Sequence, residues 1–82
     1  MEHNLIYATI LGKVSVKRGP DAWVLTVWER PAGRSWRSMR KLEEETYPFD
    51  AYPQARMQAL SYYEEILHRT KKWAQKEQGV AK

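Results

Sequence analysis

Between Gly12 and Leu42 the chain carries eight basic side chains, Lys13, Lys17, Arg18, Arg30, Arg34, Arg37, Arg40 and Lys41, against two acids, Asp21 and Glu29. The local balance is +6, whereas the remaining six bases and eight acids leave the rest slightly acidic. Cations concentrated in this way suit a polyanion, because each ammonium or guanidinium that neutralises a phosphate releases condensed counterions. Arginine can also grip a guanine edge with two parallel hydrogen bonds, and the hydroxyls of Thr26 and Ser38 can reach phosphates or bases. Trp28 and Trp36, interleaved with these cations, offer flat faces on which bases can stack.

No comparable set points to catalysis, and the chain is expected not to be an enzyme. It has no glycine-rich phosphate loop and no nucleophile, base and acid in a recognisable arrangement. Glu64 and Glu65 are adjacent on a helical pattern and point in different directions. His3 and His68 lack partners at ligand spacing and there is no cysteine, so neither a metal nor an organic cofactor is expected. The absence of cysteine also excludes disulfide staples and fits a reducing, cytoplasmic setting. The apolar run from Leu5 to Leu11 is interrupted by Tyr7 and Thr9 and is far shorter than the roughly 20 residues of a membrane span, so no membrane role is expected.

The elements that must position the basic side chains can be read from periodicity. Asn4–Lys17 alternates and is rich in β-branched residues, with Gly12 marking a bulge or a break into two strands. Arg18-Gly19-Pro20-Asp21 is turn chemistry, and a strand over Ala22–Arg30 follows. Pro31-Ala32-Gly33 matches a three-residue hairpin loop, which predicts a third strand over Arg34–Leu42 and places Arg30 opposite Arg34. That register pairs Trp28 with Trp36, Thr26 with Ser38 and Val24 with Arg40 on one face. The other face pairs Val27 with Arg37, Leu25 with Met39 and Trp23 with Lys41. Trp23, Leu25, Val27 and Met39, joined by Val14 and Val16, form the richer apolar face and are the expected core. Lys13, Ser15, Lys17, Thr26, Trp28, Arg30, Arg34, Trp36, Ser38 and Arg40 then form an open basic face. Glu43–Glu45 read as a solvated strand end, and Tyr47-Pro48-Phe49-Asp50 as a connector.

From Pro53 to Gln78 there is no glycine or proline, and Gly79 is a natural stop. Ala59, Leu60, Tyr63, Ile66, Leu67, Thr70 and Trp73 recur at spacings of three and four and form one apolar stripe. The expected class is therefore α+β in a single domain over residues 1–82. It comprises an antiparallel three-stranded β-meander, four-stranded if Asn4–Leu11 is a separate strand, packed against one long C-terminal α-helix. A helix of this length, roughly 39 Å, exceeds what a short sheet covers. The excess predicts a second use, in which Tyr63, Ile66 and Trp73 dock a protein partner or a second copy. Against this, Leu5, Ile6 and Ile10 are candidates to cover the stripe internally.

The opening Gly12-Lys13-Val14-Ser15-Val16-Lys17-Arg18-Gly19, the Trp23-centred strand and Arg34-Ser35-Trp36-Arg37 resemble the arm-type N-terminal DNA-binding domain of phage and transposon tyrosine integrases. The helix start, Tyr52-Pro53-Gln54-Ala55 through Tyr63-Glu64-Glu65-Ile66, is similar as well, so the resemblance runs from about Gly12 to Leu67. It implies DNA as the partner, with the sheet entering the major groove. The segment Asn4–Leu11 and the length of the helix depart from that pattern. Four strands followed by a long helix would instead look like the coactivator-type single-stranded DNA-binding fold, which dimerises through its helix. The leading expectation is thus a nucleic-acid-binding module, DNA favoured. The alternative is a small protein-interaction module, such as a phage-type inhibitor or accessory subunit, docking through the helix.

Overall fold

Strand-forming residues with alternating character build four antiparallel strands in chain order: β1 (Leu5–Thr9), β2 (Gly12–Arg18), β3 (Trp23–Glu29) and β4 (Arg40–Tyr47). A 3-10 turn, Phe49–Ala51, leads into the single helix α1, Tyr52–Val80. This is a computed structural model, and it describes residues 3–30 and 39–80, with side chains as far as Gln75. The architecture is α+β, a four-stranded antiparallel sheet packed against one C-terminal helix.

Gly12 marks a break rather than a bulge within one strand. The chain reverses over Ile10 and Leu11, and Leu5, Tyr7 and Thr9 pair with Val16, Val14 and Gly12. A side chain at position 12 would be crowded, because a Cβ there would lie 2.8 Å from the Trp28 carbonyl oxygen and 3.1 Å from Ile66 Cγ2. Between β2 and β3 the expected turn is present, with Gly19 N–H donating to the Ala22 carbonyl at 2.8 Å.

The last strand lies elsewhere than the short hairpin loop predicts. β4 starts at Arg40 and not Arg34, so Arg30 to Met39 intervene between β3 and β4. Trp23, Leu25 and Val27 face Tyr47, Glu45 and Glu43, while Trp28 faces Lys41 and Glu29 faces Arg40. The partners expected for β3, Trp36 for Trp28, Ser38 for Thr26, Arg40 for Val24, Arg37 for Val27, Met39 for Leu25 and Lys41 for Trp23, are replaced throughout. A bulge between Val27 and Trp28 leaves Leu42 as the extra residue and changes the parity within β4. The physical gain is at the core edge. Tyr47 comes beside Trp23, and the carboxylates of Glu43 and Glu45 meet phenol donors, whereas the short loop would have set Arg37 and Lys41 opposite Val27 and Trp23. Glu43–Glu45 are therefore ladder residues of β4, and Tyr47 is its last residue rather than part of the connector.

The core is the expected apolar face: Val14, Val16, Trp23, Leu25 and Val27 are buried, joined by Tyr52, Ala55, Ala59 and Ile66 of α1. Met39, expected in this layer, precedes β4 and is half-buried. Ala55 and Ala59 have no exposed surface, so the helix backbone approaches the sheet closely along this line. Leu5 and Tyr7 of β1 cover part of the stripe, and Tyr7 stacks on Tyr63 with ring centroids 5.2 Å apart. Ile6 and Ile10 do not cover it; they are exposed. Further along the helix the Thr70 hydroxyl lies 2.8 Å from that of Thr9 at the β1–β2 turn. The helix continues through Gly79 to Val80, one residue past the expected stop and within the ordinary fraying of a last turn. Among the described residues no helix is long and apolar enough to cross a membrane.

Candidate nucleic-acid interface

α1 packs on one side of the sheet, and among the described residues no other element packs on the opposite face. Strand registers arrange it in rows. Ala8, Lys13, Trp28 and Lys41 align across the four strands; Ile6, Ser15, Thr26 and Glu44 form the next row; Lys17, Val24 and Thr46 form a third. In the first row an indole lies between two lysines on adjacent strands, each about 4.8 Å away in the pairing direction. Lys13 Nζ sits over the Trp28 ring, 4.8 Å from its centroid. Lys41 Nζ contacts Glu44 at 3.4 Å with both side chains half exposed, a bond that water and salt loosen readily. Lys17 is exposed. Ser15 and Thr26 lie in the middle row and are buried, 5 % and 8 % exposed, and the Trp28 indole N–H beside them is buried as well. Among the described residues this face carries three lysines, Lys13, Lys17 and Lys41, and one aromatic side chain, Trp28.

Of the residues expected on this face, Lys13, Ser15, Lys17, Thr26 and Trp28 lie there. Arg30 follows β3 and is half-buried, its N–H donating to the Leu11 carbonyl at 2.9 Å. Arg34, Trp36 and Ser38 lie outside the described residues. Arg40 belongs to the opposite side: it pairs with Glu29, which also meets Arg69 of α1, at 3.5 and 3.2 Å. Its displacement follows from the bulge, which hands the position beside Trp28 to Lys41, a residue that unbroken alternation had assigned to the other face. No signal in the sequence announces this exchange, since it depends on the length of the connection and on Leu42 being extruded. Arg18 is likewise on the helix side, its guanidinium 4.4 Å above Phe49 and 5.7 Å above Trp23.

The helix side of β4 forms a second polar region. Tyr62 hydroxyl lies 2.5 Å from Glu43 and 2.6 Å from Glu45, one proton shared between two carboxylates, and Tyr47 hydroxyl donates to Glu45 at 2.7 Å. The bonds to Glu43 and then Glu45 push the Tyr62 phenol well above its usual range. Burial, followed by the Glu45 bond, pushes Tyr47 up to about 12. Beside them a cleft of about 320 Å³ opens over Val27, Leu42 and Ile66, rimmed by Glu43 and Glu65. Of the three residues expected to dock a partner, Ile66 is instead core, 3 % exposed, because it packs against Gly12. Tyr63 is half-buried against Tyr7, and Trp73, three residues past Thr70, is 39 % exposed. Comparison with protein-family models, with curated proteins and with solved structures returned no match.

Proposed function

We propose that the chain is a non-enzymatic nucleic-acid-binding module, with DNA the favoured ligand, that binds through the open face of its sheet. The observation that carries this reading is the Lys13–Trp28–Lys41 row on a face that α1 leaves uncovered. Trp28 stacks on a base or packs against a sugar, Lys13 and Lys41 neutralise phosphates on either side, and Lys17 extends the cationic track. Ser15 and Thr26 lie on the same side but are buried, so the exposed contacts of this track are the lysines and the Trp28 ring. The four-strand order is the condition under which the sequence looks like a coactivator-type single-stranded binder, and it supports testing single strands beside duplex.

A mobility shift and a salt titration with single-stranded and duplex DNA and RNA test the proposal. Three lysines engaging phosphate give a slope of log affinity against log salt of about −2 to −3. Replacing Lys13 and Lys41 together by alanine flattens that slope by about one to two and lowers affinity, while Arg40→Ala, on the far side, leaves both unchanged. Binding that is absent at low salt, or indifferent to salt, removes the proposal. The second reading, docking of a protein through α1, retains one observation in its favour, the exposed Trp73. Alanine at Trp73 rather than at the sheet lysines would then be the sensitive change.

A further inference from the structure

The two edges of the sheet are built differently. β4 carries Arg40, Lys41, Glu43, Glu44 and Glu45, and a charged edge strand resists pairing with another chain. β1, Leu5-Ile6-Tyr7-Ala8-Thr9, has no charge and no proline, and its register with β2 is unbroken by any bulge. The uncharged run continues through Ile10 and Leu11. Ile6 and Ile10, two of the most exposed large apolar side chains among the described residues, both lie on this hairpin, at 60 % and 46 %.

Backbone parity shows which groups are free. The two-residue connection closes on the Thr9/Gly12 pair, and hydrogen-bonded pairs then alternate, giving Tyr7/Val14 and Leu5/Val16. Asn4 Oδ1, accepting from Arg18 N–H at 2.9 Å, continues the same series. Ile6 and Ala8 consequently direct their N–H and C=O groups away from β2, and among the described residues no strand pairs with them.

We propose that β1 is a self-association edge, on which two copies of the chain pair antiparallel about a two-fold axis. An antiparallel edge is its own complement, so each copy supplies the partner the other needs. Each copy carries a net charge of +4, and the uncharged β1 edge lets two meet without setting like charges opposite one another. With Tyr7 on the axis, Ile6 of one copy faces Ala8 of the other, and each free N–H meets a free C=O. The sheets join with both helices on one side and both Lys13–Trp28–Lys41 rows on the other. The dimer so formed would widen the proposed interface, but the pairing itself does not rest on that reading.

Sedimentation equilibrium of the full chain across micromolar concentrations, with amide hydrogen exchange, tests the pairing. The expected result is a dimer in which the Ile6 and Ala8 amides become protected as concentration rises. Ala8→Pro removes an outward donor at a position where an edge strand tolerates proline. Ile6→Lys brings two cations to the junction. Each is expected to weaken dimerisation at least tenfold with the circular dichroism of the fold retained. If Ala8→Pro fails to fold, Ile6→Lys and the exchange of the unaltered chain decide the matter. A chain that stays monomeric, a dimer that survives Ile6→Lys with Ile6 and Ala8 amides unprotected, or one dissolved only by Trp73→Ala overturns the proposal. Loss of nucleic-acid binding with the dimer intact would instead remove only the proposed function.

Discussion

At the scale of single residues, the phenols at the β4 edge make stability depend on alkaline pH. Tyr47 has a folded value of about 12 against 10.0 for the free side chain, and Tyr62 is raised in the same direction. Folding therefore favours the protonated phenols. Their stabilisation is complete below about pH 10 and is lost as pH climbs through the folded values. The urea midpoint is expected to fall as pH rises from about 10 to about 12, and Tyr62→Phe is expected to fall less steeply than the parent chain. Equal slopes would mean that the hydroxyl is not held by Glu43 and Glu45. Gly12 is sensitive for a steric reason. Its missing Cβ is the gap into which the Trp28 carbonyl and Ile66 fit, so Gly12→Ala is expected to cost about 2 kcal/mol in denaturant unfolding.

At the scale of elements, the helix is set on the sheet by its smallest side chains. Tyr52, Ala55, Ala59 and Ile66 recur at helical spacing and are all buried, and the two alanines bring the α1 backbone against β2 and β3. Ala59→Leu is expected to destabilise by about 1–3 kcal/mol, because the extra methylenes must lift the helix off Val14 and Val16 or force strained rotamers. A thermal melt reads the loss, and an unchanged midpoint would show that the helix has room to move. The strands show a different dependence. β3 is read correctly from its own alternation, but which residues stand opposite it depends on β4, whose position follows from a connection much longer than Pro31-Ala32-Gly33 suggests. That placement decides that Lys41, and not Arg40 or Trp36, is the neighbour of Trp28.

For the whole molecule, charge and apolar surface are distributed by side. The helix side of the sheet holds Arg18, Arg40 and Arg69, each turned toward an aromatic ring or Glu29, and the carboxylates of Glu43 and Glu45. The open side holds Lys13, Lys17 and Lys41 around Trp28. On the proposed function a polyanion is expected to discriminate between the sides: Lys41→Ala is expected to weaken binding and Arg40→Ala to leave it unchanged, and comparing the two affinities measures this. Along the other dimension of the sheet, β4 is charged and β1 is not, so self-association is expected at β1 and its concentration dependence is the corresponding test.

The sequence alone determined what depends on local periodicity. Alternation marked Val14, Val16, Trp23, Leu25 and Val27 as one face, and helical spacing marked α1 and most of its stripe, because side-chain direction within an element follows from its own backbone geometry. Lys13, Lys17, Thr26 and Trp28 could be placed on the open face for the same reason. Ala55 was legible too, as part of the Tyr52, Ala55, Ala59 spacing, but alanine carries little hydrophobic weight and the stripe was read without it. Tertiary structure decided whatever depends on pairing. The separation of β1 from β2, the arrival of Arg40–Tyr47 as the last strand, the bulge at Leu42 and the burial of Ile66 under Gly12 are choices between registers. A register is selected by the summed packing of distant segments, and one extruded residue reverses the faces of all that follow it.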